Sequence, residues 1–199
     1  MLISICLLTY SCLSCPTECR LAFSNDPWKC TVHLRFLKDE KGNDISPIRN
    51  VQFGGIITNK ADVEDRLRRA QLAILNPGVD SDKYLTGKAP AGSSGEVAFS
   101  ENFVSVEISG PEVTNLSFCD LPGAYSYSQL TSEINSIHCA GIIANVREGS
   151  DEGDIELVKR LVSSYIQEDS CIILLTVTCE SKCFNQVKVL QLTCVFSRF

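Results

Sequence analysis

The sequence predicts an α/β fold, and three observations carry that expectation. Two runs alternate strictly: Cys30, Val32, Leu34 and Phe36 against Thr31, His33 and Arg35, then Val104, Val106 and Ile108 against Ser105 and Glu107. Two segments place apolar residues at helical spacing, Ala61–Leu75 and Ile155–Gln167. Cys171–Val177 is a continuous apolar run, the pattern of a central parallel strand covered on both faces.

The chain has 199 residues, enough for one sizeable core or a piece of a larger domain. Its net charge of −6 argues against a general nucleic-acid binder. No segment reaches the ~18–20 apolar residues of a membrane span. Met1–Cys15 is apolar and uncharged, but it lacks the basic n-region of a signal peptide. Eleven cysteines are many, and an odd number. Because Cys30, Cys119 and Cys171 fall inside strand-like runs, they read as reduced core residues, which favours a reducing, cytoplasmic setting over a disulfide framework.

Cys12-x-x-Cys15-x-x-x-Cys19 has the look of a thiolate cluster, and Cys30 and His33 are the next candidate ligands. The alternation of that strand puts Cys30 and His33 on opposite faces, so a zinc site is not expected. Asp39–Asp44 is a turn. Asn59-Lys60-Ala61-Asp62 has the shape of a guanine-reading loop, yet Asp62 sits where a helix first turn prefers an acid. That helix buries Val63, Leu67, Ala70 and Ile74 and ends at Asn76-Pro77-Gly78. In the loop Val79–Glu96, Gly92-Ser93-Ser94-Gly95 invites a phosphate-loop reading, but Glu96 stands where lysine is needed. No G-x-x-x-x-G-K-[S/T] occurs anywhere. Phe103–Ile108 and Leu116–Cys119 flank Ser109-Gly110-Pro111 and predict a hairpin that delivers Asp120 to its tip. The acids Asp151, Glu152 and Asp154 open the second helix.

Leu116–Gly123 (L-S-F-C-D-L-P-G) is the stretch that bears on chemistry. An acid followed three places later by glycine at a strand end is the metal- and phosphate-sensing corner of many nucleotide hydrolases. The carboxylate holds a water on Mg²⁺, and the glycine N–H approaches the terminal phosphate where a side chain would block it. The competing reading is a Pro-Gly turn closing a strand.

Longer stretches resemble the GTP-binding domain of dynamin-type large GTPases, closest to fungal dynamin-related proteins. They are C-P-T-E-C-R-L (15–21), R-R-A-Q-L-A-I-L-N-P (68–77), F-V-S-V-E-I-S-G-P-E-V-T-N-L-S-F-C-D-L-P-G (103–123), I-I-A-N-V-R-E-G-S-D-E-G-D-I-E-L-V-K-R-L-V (142–162) and C-I-I-L-L-T-V-T-C-E-S (171–181). The resemblance implies a three-layer sheet of the P-loop NTPase type, GTP and Mg²⁺ as ligands, and membrane fission through self-assembly. It makes Asp120, Leu121, Pro122 and Gly123 the nucleotide-binding motif, with Asp120 on Mg²⁺ through water and Gly123 on the γ-phosphate. The implied partners are GTP, other dynamin-family G domains or a second copy, and membranes only indirectly, at the surface of membranes or organelles.

The chain departs from that pattern. The first strand with its phosphate loop is missing, and Leu13, which has no oxygen for Mg²⁺, occupies the switch threonine position. Ala124–Ala140 reads as an insertion in the second switch, and the base-reading loop and C-terminal strands are absent. The expected organisation is therefore an apolar non-family segment 1–14, a partial G domain 15–186 interrupted at 124–140, and a non-family tail 187–199. The apolar run Leu2–Thr9 is expected to fill the gap left in mid-sheet. GTPase activity is inherited by resemblance and expected to be lost. The alternatives are a non-catalytic partner of full-length dynamin-like proteins and a secreted cysteine-rich module.

Overall fold

Strand β1 (Thr17–Phe23) runs through the middle of one mixed sheet, with β4 (Phe103–Gly110) parallel on one side and β5 (Leu116–Asp120) antiparallel on the other. The computed structural model describes residues 14–89, 95–122, 124–126, 152–167, 171–177 and 188–196. Beyond β4 lie β2 (Lys29–Lys38) and the edge strand β3 (Asp44–Gln52). Beyond β5 lies β8 (Lys188–Phe196), which pairs with β5 and the short β6 (Ala124–Ser126), and also with β7 (Cys171–Val177). The helices are α1 (Val63–Leu75), the short α2 (Ser81–Leu85) and α3 (Glu152–Ile166). The chain is thus mixed α/β, compatible with a nucleotide-binding α/β fold.

The periodic segments form what they predict. In β2, Cys30, Val32, Leu34 and Phe36 are buried and the intervening residues are half-exposed. In α1, Val63, Leu67, Ala70 and Ile74 are all buried on one stripe against the sheet. Asn59 opens that helix, its side-chain oxygen accepting from the Ala61 amide at 3.2 Å ahead of a 3-10 turn at Lys60–Asp62. Helix-start chemistry therefore accounts for the Asn-Lys-x-Asp run. At the far end, Asn76 is buried and donates its amide to the Leu72 carbonyl at 2.8 Å. Gly54 makes the tight entry to this layer. Its φ is +80°, and a Cβ there would collide with the Arg66 guanidinium, which donates to the Phe53 and Gly55 carbonyls.

Two expectations are corrected. Phe103–Gly110 and Leu116–Asp120 do not form a hairpin, because β1 lies between them. Two-residue loops force adjacent strands to pair, whereas the five-residue link Pro111–Asn115 is long enough to step over β1. Asn115 secures the step by accepting from the Phe23 amide at 2.7 Å. Cys171–Val177 is not a parallel strand between two neighbours: its one partner among the described residues is the antiparallel β8, and Ile172 is 58% exposed. The position between β5 and β7 is filled by Lys188–Phe196 from the tail. Leu2–Thr9, Leu13, Gly92–Ser94, Gly123 and most of Ala124–Ala140 lie outside the described residues.

Two apolar clusters result. The larger packs α1 and α2 on one sheet face and contains the buried side chains of Cys15, Cys19 and Cys30. The smaller packs Val158, Leu161 and Val162 of α3 against Cys119 and Leu121. Among the described residues, no helix is long and apolar enough to cross a membrane.

Candidate functional site

The D-x-x-G corner forms where β5 ends beside the beginning of β1. Asp120 is the register partner of Thr17, so both side chains lie on the face that carries α1. The Thr17 hydroxyl accepts from the Gln71 side-chain amide of α1 at 3.3 Å. Asp120 is 2% exposed, and Leu121 and Pro122 are fully buried. Gly123 lies outside the described residues, so of the four predicted nucleotide-binding residues three can be located, and all three are sealed in packing.

A cavity lies on the opposite sheet face, between α3 and the strands β1–β4–β2–β3. It measures about 860 Å³. Phe103, Leu37, Ile45 and Ile48 line its sheet side, and Arg160, Leu161, Ser164 and Tyr165 of α3 line the other. Asp120 is not among its lining residues, so the structure does not bring the sequence motif and the cavity together.

Charge crosses this cavity as an alternating chain. Arg160 donates two hydrogen bonds to one oxygen of Glu101, at 2.6 and 3.1 Å, while Lys38 lies 3.3 Å from the other. The same ammonium sits 2.7 Å from Asp44. Asp44 and then Glu101 hold the Lys38 ammonium above its ordinary range, against the opposing pull of partial burial. Glu101 likewise raises Arg160. Lys38 is positioned by buried Asn102, whose carbonyl oxygen accepts from the Leu37 and Lys38 amides and whose amide donates to the Lys38 carbonyl. On the β1 side, Arg20 pairs with Glu18 at 2.8 Å. Arg20, Lys38 and Arg160, three cations lining the cavity, each have a carboxylate within 4 Å. A polyphosphate needs cations and backbone amides left over for it, and such a lining offers it little.

Sequence reasoning did not find this chain of charges. Lys38, Glu101 and Arg160 lie far apart in sequence and follow no motif, so only the fold assembles them. Among the described residues no group of three or more metal-ligating side chains could hold an ion.

No family model matches the chain. It is 28% identical over 153 residues to the interferon-induced GTP-binding protein Mx of Dicentrarchus labrax, a match covering 76% of this chain and 18% of that protein. It is 26% identical over 166 residues to the interferon-induced GTP-binding protein Mx2 of Sus scrofa, covering 83% of this chain and 16% of that one. The likeness to these dynamin-like GTPases is weak. It supports no narrower branch, and the chain spans less than a fifth of the length of both relatives.

Proposed function

We propose that this chain is a piece of a dynamin-type GTP-binding domain that does not itself hold or hydrolyse GTP. The relatives are named for GTP binding, which makes GTP, with Mg²⁺, the ligand to test. The observation that carries the proposal is the direction of β8. In open α/β sheets, phosphates bind beyond the carboxyl ends of parallel strands, where a loop leads to a helix N-terminus. Asp120 lies at the carboxyl end of β5, but its neighbour β8 is antiparallel, so β8 enters the sheet from that end rather than leaving it. A strand entering there cannot deliver a loop and helix to cradle phosphate.

The described side chains do not fit a Mg²⁺-triphosphate either. The Asp120 carboxylate is sealed at 2% exposure, and the cations of the large cavity are taken up by carboxylates on the other sheet face. Leu13, at the switch threonine position of the family pattern, supplies no oxygen. On this reading the chain acts in the cytoplasm and reaches membranes only through full-length dynamin-type proteins.

One observation favours a non-catalytic partner role. β7 carries an apolar run, and its outer edge has no strand partner among the described residues. An open strand edge is a template for pairing with another chain. The two claims are tested together on purified, monodisperse protein, by a GTP hydrolysis assay and by co-purification with a full-length dynamin-type GTPase. The expected outcome is no turnover above buffer, with co-purification; Mg²⁺-dependent turnover overturns the first claim and absence of co-purification the second.

A further inference from the structure

We propose that Arg35 and Ser105, with the apolar sheet side of the adjoining cavity, form a binding site for a monocarboxylate that carries an apolar body. Arg35 on β2 and Ser105 on β4 lie on the sheet face opposite α1, since the alternate residues Cys30, Val32, Leu34 and Phe36 are the ones buried with α1. Phe103 is the register partner of Arg35, and His33 is that of Ser105. Arg35 and Ser105 are therefore diagonal neighbours, a spacing that a long side chain bridges. Ser105 is fully buried, and its Oγ has no hydrogen-bond partner. The Nε of Arg35 is also sealed off without an acceptor, whereas its two Nη groups are not sealed. Among the described residues, Arg35 is the one arginine with no ion pair, hydrogen bond or ring contact. Buried polar atoms are nearly always paired, so two neighbouring orphans of complementary chemistry point to a bound state that satisfies them.

One small rotation satisfies both. With an anion on the Nη fork, the Nε–H turns to donate to Ser105 Oγ, and the two Nη groups stay with the ligand. Arg35 then binds, and Ser105 positions it. The fork matches a planar carboxylate. Nearby acids limit the ligand to a single negative charge. Glu18 is the register partner of Ser105 on β1 and is held by Arg20, and Glu107 stands exposed two residues along β4. A phosphate dianion would meet those carboxylates with one guanidinium to hold it. The apolar body follows from what flanks Arg35. Phe103 opposite it and Leu37 two residues along both line the cavity of about 860 Å³, and Ile45 and Ile48 continue that wall. The volume falls within the roughly 300–1,000 Å³ of small-molecule sites.

This site is on the sheet face away from Asp120, so it stands or falls apart from the reading on GTP. The 199-residue chain is titrated by calorimetry with octanoate, octanol, acetate and inorganic phosphate. Octanoate is expected to bind saturably and at least about tenfold more tightly than octanol, the factor that one charge-assisted hydrogen bond supplies. Acetate and phosphate are expected to bind more weakly than octanoate. Arg35→Met is expected to fold, because Arg35 holds no partner, and to bind octanoate no better than octanol. Ser105→Ala is expected to weaken octanoate severalfold and leave octanol unchanged, a split that a general loss of packing would not produce. The proposal is overturned by the absence of saturable octanoate binding, by octanol binding as tightly as octanoate, by phosphate binding more tightly than octanoate, or by octanoate affinity that survives Arg35→Met.

Discussion

Thr17 and Asp120 face each other across β1 and β5, and both are closed off from solvent, at 4% and 2% exposure. In this chain the acid of the D-x-x-G motif is part of the wall between the sheet and α1. Burying a carboxylate is tolerable only while its hydrogen bonds are kept. Asp120→Ala is therefore expected to lower stability by about 1–3 kcal/mol, the cost of leaving buried partners unsatisfied, without changing the response to GTP. Urea unfolding of the variant checks this; an unchanged midpoint places the carboxylate in solvent instead.

Gly54→Ala tests the entry to α1. A side chain there must adopt φ of +80° and displace the Arg66 guanidinium from two carbonyls. The left-handed conformation alone costs roughly 1–2 kcal/mol for a residue with a Cβ, and the collision adds to it. Thermal unfolding is expected to show a loss of at least that size.

Buried thiols give a kinetic prediction. Burial pushes the Cys15 thiol up to about 12, so almost none of it is thiolate near pH 8. Iodoacetamide is expected to leave Cys15, and the equally buried Cys19 and Cys30, unmodified in the folded protein and to label them once urea unfolds it. Rapid labelling under native conditions speaks against the core described above.

Asp65 sets an acid limb. Arg68 first, and Arg69 after it, hold its carboxyl below the usual 3.8, against some opposing desolvation. A depressed folded pKa means stability that is present above pH 3.8 and is lost as pH falls through the lower folded value. Asp65→Asn is expected to flatten the pH dependence of the thermal midpoint below pH 4 relative to wild type, with a small effect because the pair is half-exposed.

Local pattern made α1 and β2 legible, since Val63, Leu67, Ala70 and Ile74, and likewise Cys30 through Phe36, announce their buried faces by spacing alone. Neighbour relations were not legible in the same way. Nothing in Phe103–Asp120 says that a strand from residues 17–23 will part its two halves, because that pairing is decided by hydrogen bonds made far along the chain. Lys188–Phe196 carries an apolar alternation, Leu190, Leu192, Cys194 and Phe196, that marks a strand. The Arg160–Glu101–Lys38–Asp44 chain has no local signature at all. Asp120 was legible as a strand-end acid, but its burial depends on β1 and α1, which the motif does not contain.

The most direct test is equilibrium titration of the purified, monodisperse chain with a fluorescent GTP analogue in the presence and absence of Mg²⁺. The antiparallel β8 beside Asp120 predicts no saturable signal in the micromolar range and no effect of Mg²⁺. Saturable micromolar binding that requires Mg²⁺ and is abolished by Asp120→Asn would contradict it.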